Sequence, residues 1–141
     1  MFVELQLPMS DLPSTFISQQ LTPEEQKHAM ESLPNAWREI FGDCLVTIRY
    51  GWGCKIHPAL LYTPMPTGIA WIDRFIADSL RQEIVMPGDS DFLFEDPDKR
   101  LEVVFCHEGH VHIGGNDPQA IARILSFSPF STMVDSREKR L

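Results

Sequence analysis

Residues 105–115, FCHEGHVHIGG, contain the side chains best suited to chemistry, because one cysteine and three of the five histidines lie within seven positions. Imidazole and thiolate groups are common zinc ligands, and a catalytic zinc ion often has three protein ligands with water in the fourth position. The spacing therefore raises the hypothesis of a metal site. Its candidate ligands are Cys106, His107, His110 and His112.

The strand register decides which of these side chains can meet. The Glu-Gly dipeptide at 108–109 is typical of a two-residue hairpin turn, and in that register His107 lies opposite His110. Because opposed residues share a face and faces alternate along a strand, His112 joins them and Cys106 points away. We therefore predict three histidines on one face, able to bind zinc. The alternative is a set of polar-face histidines without metal, since tight zinc sites also need groups that orient each ring.

Other catalytic arrangements find little support. In GWGCKIH, Cys54 and His57 are three residues apart on a segment expected to be extended, so their side chains point to opposite faces. The chain has no phosphate-binding glycine loop and no G-x-S-x-G elbow. Its three cysteines are an odd number without C-x-x-C spacing, which favours reduced thiols. We expect a protein that is not an enzyme, with a zinc-dependent hydrolase as the alternative.

Acidic charge is concentrated in residues 83–98, within a chain whose net charge is −8. Such a stretch disfavours nucleic acid, because phosphate binding relies on basic side chains. It suits a basic protein partner, since complementary fields speed the encounter and set the register of binding. The alternative is a solvated edge that keeps the protein soluble. The acidic residues are Glu83, Asp89, Asp91, Glu95, Asp96 and Asp98.

Helix signals begin at residue 22. Thr22 and Glu25 have the spacing of a capping box, so a helix begins there and is predicted to end near Pro34. A second short helix is predicted over 35–41, ending at Gly42. The next segments are a strand at 44–53, an extended segment at 54–64 and a helix at 67–84. The apolar stripe of the last helix is Ile69, Ile72, Ile76 and Leu80.

The C-terminal half is typical of a meander followed by a helix. Strands are predicted at 91–96, 100–107 and 110–115, joined by turns at Pro97-Asp98 and at 108–109. A last helix begins after Asp117, with Ile121, Ile124 and Leu125 as its buried face. The predicted fold is α+β, a mainly antiparallel sheet whose C-terminal three-strand meander packs against three to four helices.

The length of 141 residues suits one compact domain over 1–141, with a frayed polar tail at about 133–141 and a possible edge strand at 2–7. No window has the roughly 18 consecutive apolar residues of a membrane span, and the N-terminus lacks the basic start and apolar core of a signal peptide. We therefore expect a cytoplasmic protein that does not bind membranes. The edge strand leaves the oligomeric state open.

The C-terminal third resembles a family. The segment DFLFEDPDKRLEVVFCHEGHVHIGG, with its H-V-H-I strand ending, followed by the helix NDPQAIARIL, is similar to bacterial immunity proteins that neutralise polymorphic, contact-dependent or type VI secreted toxins. The resemblance covers roughly 45 residues. It implies an α+β protein without catalytic activity that binds a cognate toxin tightly and blocks it. Many such toxins act on nucleic acids or nucleotides and have basic active-site surfaces.

The resemblance agrees with the charge pattern and indicates an immunity protein whose acidic surface complements a basic toxin in the cytoplasm. Two alternatives stay open: a small zinc-binding protein or zinc-dependent hydrolase built on His107, His110 and His112, and a phage-encoded inhibitor of a host defence system. Clustered histidines also predict that stability falls below about pH 6.5. The predicted partner-binding residues are Trp52, Asp89, Asp91, Phe92, Phe94, Glu95, Asp96 and Asp98.

Overall fold

A six-stranded antiparallel sheet forms the centre of the protein, whose computed structural model describes residues 16–136. The strands lie in the order β1-β6-β5-β4-β2-β3. They are β1 (Phe16–Ile17), β2 (Leu45–Tyr50), β3 (Met65–Gly68), β4 (Phe92–Glu95), β5 (Glu102–Phe105) and β6 (Val111–Gly114). The helices of the described part are α1 (Pro23–Phe41), α2 (Ile69–Arg81) and α3 (Pro118–Ile124), with short 3-10 turns at Pro58–Leu60 and Phe130–Thr132.

The two faces of the sheet have different surroundings. Alternate residues of β2, β4, β5 and β6 are fully buried and join residues from all three helices in one apolar cluster. The residues between them are only half-buried, so the helices cover one face and leave the other open among the residues described. The predicted α+β class, with its C-terminal meander β4-β5-β6, is confirmed.

Helix α1 begins where the sequence predicts it. The Thr22 hydroxyl accepts from the Glu25 N–H, and the Glu25 carboxylate accepts from the Thr22 N–H, which completes the capping box. The predicted end at Pro34 is wrong, because the helix continues to Phe41 with Pro34 inside it. The buried Trp37 packs in the core just after the proline, and this burial stabilises the longer helix against the lost backbone hydrogen bond.

Strand β3 was not predicted. Residues 65–68 fall between the predicted extended segment at 54–64, which forms a loop with a 3-10 turn, and helix α2, which begins at Ile69 rather than at 67. The Ile69 N–H donates to the Cys44 carbonyl at 2.9 Å. In an antiparallel pair, every second residue bonds to the partner strand, so the residue three positions before Ile69, Pro66, has its backbone N and C=O directed away from β2. Proline is tolerated there because no donor is needed at that position.

The end of the described chain is paired rather than frayed. Ser18 bridges Asp135, and the Ser136 N–H donates to the Ile17 carbonyl at 2.8 Å, so residues 134–136 run beside β1. The predicted frayed tail is therefore wrong for these residues, while 137–141 and the edge strand predicted at 2–7 lie outside the described residues. Within residues 16–136, no helix has both the length and the apolar character needed to cross a bilayer.

Candidate functional site

Three connecting segments meet at one end of the sheet. Strands β2 and β5 end there and β4 and β6 begin there, because neighbours in this part of the sheet are antiparallel. The segments are residues 51–54, 86–91 and 106–110, and we call the surface they form the Trp52 end. It contains side chains from both the acidic stretch and the histidine hairpin.

The segment at 51–54 is fixed against the one at 86–91 by backbone hydrogen bonds. The Gly51 N–H donates to the Asp91 carbonyl at 2.9 Å, and the Asp91 N–H donates to the Trp52 carbonyl at 2.8 Å. Gly53 has φ +84, and a Cβ atom on it would lie 2.3 Å from the Asp89 carbonyl oxygen. This close approach requires glycine, so the GWG motif places Trp52 on the surface in a defined position.

A buried amide on helix α1 holds the other two segments. The Gly88 N–H donates to Gln26 Oε1 at 2.7 Å, while Gln26 Nε2 donates to the carbonyls of Cys106 (3.0 Å) and His110 (3.2 Å). Gln26 is 0% exposed. Gln26 is a positioning residue that was not predicted from the sequence. It lies on the same helical stripe as the apolar residues Met30 and Leu33, and a polar side chain on a buried stripe must find hydrogen-bond partners, so its spacing could have indicated this role.

Asp91 and His107 form the polar centre of the Trp52 end. The backbone N–H of His107 donates to Asp91 Oδ1 at 2.7 Å, and His107 Nδ1 lies 2.9 Å from the same oxygen. The Trp52 ring lies against the imidazole, with the ring centroids 4.5 Å apart. The Tyr62 hydroxyl accepts from the backbone N–H of Trp52 at 3.1 Å. Trp52 is nevertheless 57% exposed, so the cluster holds an aromatic ring towards solvent.

The hairpin that carries the histidines has a register one residue away from the predicted one. Phe105 lies opposite Val111, whereas the sequence predicted that it lies opposite His112. The connection is a three-residue loop, 107–109, in which Gly109 has φ +89 and donates its N–H to the carbonyl three residues earlier at 3.0 Å. A left-handed glycine after a type I turn gives a bulged three-residue loop, so the predicted two-residue turn is wrong.

The new register removes His107 from the other two histidines, whereas His110 and His112 stay close together, with ring centroids 6.3 Å apart. His107 lies in the loop and contacts Asp91, while His110 Nδ1–H donates to the Ser18 carbonyl at 2.8 Å. His112 is half-buried on the open face of the sheet, and burial, followed by the charge of His110, lowers its pKa. In residues 16–136, no three His, Cys, Asp or Glu side chains are grouped so as to hold a metal ion. The part of the chain described does not assemble the predicted three-histidine zinc site.

Both phenylalanines predicted as partner anchors are core residues. Phe92 and Phe94 are 0% exposed, and their ring centroids lie 4.6 Å apart. They alternate with Leu93 along β4, so they face the helices while Leu93 faces the other side. The prediction that they contact a partner is wrong, because neither ring is accessible.

Asp96 is also internal, which corrects its predicted role. Its carboxylate accepts from Arg100 Nε at 2.7 Å and from Arg100 Nη2 at 2.8 Å, and it also accepts the backbone N–H groups of Asp98 and Arg100. The side chain is 1% exposed. Burial alone would raise its pKa, but the hydrogen bonds and charge of Arg100 hold the pKa of Asp96 below the ordinary 3.8. This carboxylate stabilises a loop and is not available to a partner.

Glu95 is largely satisfied within the chain. It forms ion pairs with Arg49 at 3.0 Å and Lys99 at 3.3 Å, and its side chain is only 14% exposed. It lies directly opposite Glu102 on the open face. Burial, and then the charge of Glu95, raise the pKa of Glu102. Of the predicted partner-binding residues, those that remain accessible are Trp52, Asp89, Asp98 and, in part, Asp91.

Cys54 is not placed to act as a nucleophile with the Asp91–His107 pair. An aspartate that orients a histidine occurs in acid–base catalysis, and in nucleophilic catalysis the histidine also activates a nucleophile beside the ring. Cys54 is buried and donates its Sγ–H to the Asp91 carbonyl at 3.3 Å, and burial raises its pKa to about 11, so it is a neutral thiol at pH 7. His57 accepts the Ala59 N–H at 3.0 Å and caps a 3-10 turn, which agrees with the prediction that Cys54 and His57 do not pair.

The composition of the site is therefore an exposed indole above a carboxylate–imidazole pair, with further carboxylates around it. Comparisons with protein-family models, with curated proteins and with solved structures return no match for this chain.

Proposed function

We propose that the protein is an immunity protein that binds a cognate bacterial toxin in the cytoplasm and neutralises it through an acidic surface. The observation that carries this proposal is the Trp52 end, where an exposed tryptophan rests on the Asp91–His107 pair. Aromatic side chains on a rigid support are typical of the residues that supply most of the binding energy in protein complexes.

The charges around Trp52 support a basic partner. Asp89 and Glu108 are exposed, and their carboxylates have no ion pair or hydrogen-bond partner among residues 16–136. The three segments of the Trp52 end contain Asp89, Asp91 and Glu108 and no Lys or Arg, so acidic groups outnumber basic ones there. With a net charge of −8, the protein attracts a basic surface over a distance of about one Debye length, roughly 8 Å at physiological salt.

The rigidity of the Trp52 end supports tight binding. Its three segments are joined by backbone hydrogen bonds and by the buried amide of Gln26. A surface that is already ordered loses little conformational entropy when a partner docks, so more of the contact energy appears as affinity. Tight, long-lived binding is what neutralisation of a toxin requires.

The test is a rescue assay. The protein is produced in cells together with a toxin domain encoded beside it, and growth is compared with cells that produce the toxin alone. We expect restored growth and a complex that survives size-exclusion chromatography, with an association rate that falls as salt rises. Failure to rescue growth from any toxin encoded in its neighbourhood would contradict the proposal.

A further inference from the structure

We propose that the Trp52 end binds an arginine side chain of the partner. That the partner is a toxin rests on the proposed function, whereas the binding of arginine rests on the chemistry of the site alone. The guanidinium would lie on the exposed indole of Trp52 and pair with the carboxylates of Asp89 and Glu108. Three features of the molecule support this: an internal precedent, the exposed ring and the unpaired carboxylates.

The internal precedent is at the opposite end of the sheet. There the chain binds one of its own arginines between an aromatic ring and a carboxylate. The Arg100 guanidinium carbon lies 4.4 Å from the centroid of the Phe41 ring, and two of its nitrogens donate to Asp96 at 2.7 and 2.8 Å. Stacking on a ring together with a bidentate carboxylate pair is the geometry that suits arginine better than lysine.

The Trp52 end has the same two kinds of group and no guanidinium of its own among the residues described. Trp52 is 57% exposed even though His107 lies against its ring, and tryptophan is the best side chain for cation–π contact. Tyr62, whose hydroxyl accepts the backbone N–H of Trp52, is 49% exposed and adds a second ring at this surface.

The carboxylates reach this surface from two segments. The Asp89 backbone lies directly under Gly53, the residue after Trp52, and Glu108 is in the three-residue loop next to His107. Asp91 is already used by His107, so Asp89 and Glu108 are the carboxylates left for a partner. An exposed aromatic ring with unpaired carboxylates on the adjoining segments favours a planar cation over a neutral or acidic side chain.

The site chemistry is tested without a toxin by NMR. The chain has three tryptophans, which give separate indole N–H signals: Trp37 is buried, while Trp52 and Trp71 are 57% and 61% exposed. The ¹⁵N-labelled protein is titrated with N-acetyl-arginine methylamide and, separately, with the citrulline analogue, which has the same shape without the charge. We expect a saturable shift of the Trp52 signal with the arginine compound alone, weakened in Asp89→Asn.

Equal shifts of Trp52 and Trp71, or a Trp52 shift that is the same with citrulline, would overturn the inference. A second arm uses the complex with the toxin. There Trp52→Ala should weaken affinity on the order of 30-fold, as expected for a central aromatic anchor, whereas Trp71→Ala should change it less than about twofold. Full affinity in Trp52→Ala would overturn the inference and leave the proposed function standing. A wild-type protein that rescues no toxin would remove the proposed function, while the NMR titration would still decide the arginine site.

Discussion

The two ends of the sheet use carboxylates of the same acidic stretch in opposite ways. At the Trp52 end, Asp91 holds a half-exposed His107 and, through it, an exposed tryptophan. At the other end, which we call the Asp96 end and which comprises residues 96–101, Asp96 is 1% exposed and accepts four hydrogen bonds. A run of acidic residues in a sequence is therefore not one surface, because some carboxylates stabilise a loop and others remain free for a partner.

The distance along the chain between partners explains this difference. Asp96 and Arg100 are four residues apart, so one hairpin loop satisfies the carboxylate locally. Asp91 and His107 are sixteen residues apart and meet because β4 pairs with β5, while the amide of Gln26 ties both segments to helix α1. The Asp96 end is thus self-contained, whereas the Trp52 end is assembled from three segments and keeps a surface open.

Removal of the buried carboxylate should have the largest effect. Asp96→Asn leaves Arg100 without its ion pair and should lower the free energy of unfolding by about 3 kcal/mol. The matched change at the Trp52 end, Asp91→Asn, should cost about 1 kcal/mol, the worth of an ordinary hydrogen bond. Urea unfolding at pH 7 measures both, with the exposed Asp98→Asn as a control that changes stability by less than about 0.5 kcal/mol. Equal losses for Asp96 and Asp91 would erase the distinction between the two ends.

Loss of the Gln26 amide should act on the Trp52 end alone. Gln26→Leu leaves the Gly88 N–H without its acceptor and removes one of the two hydrogen bonds at each of the Cys106 and His110 carbonyls, which should cost about 2 kcal/mol of stability. It should also move the Trp52 indole signal in NMR spectra and leave the amide signals of residues 96–101 in place. The exposed Gln82→Leu is the control. An unchanged Trp52 signal would show that Gln26 does not position this surface.

A gain in stability is expected on the open face. Glu102 lies opposite Glu95, and its raised pKa means that its ionised form is disfavoured in the folded protein. Because the pKa of Glu102 is higher in the folded protein than its ordinary value of 4.5, the protonated side chain stabilises the folded protein at low pH. This stabilisation is lost as pH rises through the pKa of the folded state. Glu102→Gln should therefore stabilise the protein at pH 7 by roughly 0.5 kcal/mol, the order of a cross-strand pair, and should make no difference near pH 4. Destabilisation at pH 7 would contradict this.

The smallest effect expected is the pH dependence that comes from His112. Its pKa is lowered by burial and by His110, so the unfolded chain binds the proton more readily than the folded one. Stability should therefore fall as pH decreases from about 6.5 through the lowered pKa, and His112→Gln should flatten this part of the profile. The exposed His28→Gln is the control. Urea midpoints that are the same in wild type and His112→Gln from about pH 7 to 5 would contradict the prediction.

Local signals in the sequence were enough for the helices and the meander. The capping box at Thr22, the stripe on α2 and the cap at Asp117 act within one turn of helix, so they predicted these elements correctly. The helix was wrongly predicted to end at Pro34, because the burial of Trp37 stabilises the continued helix more than the proline destabilises it. The hairpin register was missed because it depends on the backbone conformation of Gly109, which the dipeptide at 108–109 does not determine.

The candidate site was predicted only in part, because its contacts join distant residues. Trp52 was predicted as a partner-binding residue and Asp91 as part of the acidic stretch, and the structure leaves Trp52 exposed. Their connection through His107 requires the fold, since the two segments meet only when β4 and β5 pair. The alternation of apolar residues in FLFE could have shown that Phe92 and Phe94 face the core.

The borders of the sheet restrict how any other protein can join this one. Pro66 faces outward from β3 without an N–H, and residues 134–136 occupy the outer side of β1. In the part of the chain described, neither border offers the continuous row of donors and acceptors that an incoming strand needs. Recognition must then depend on which side chains a partner presents, and the same closed borders protect the protein from polymerising into fibrils by strand addition.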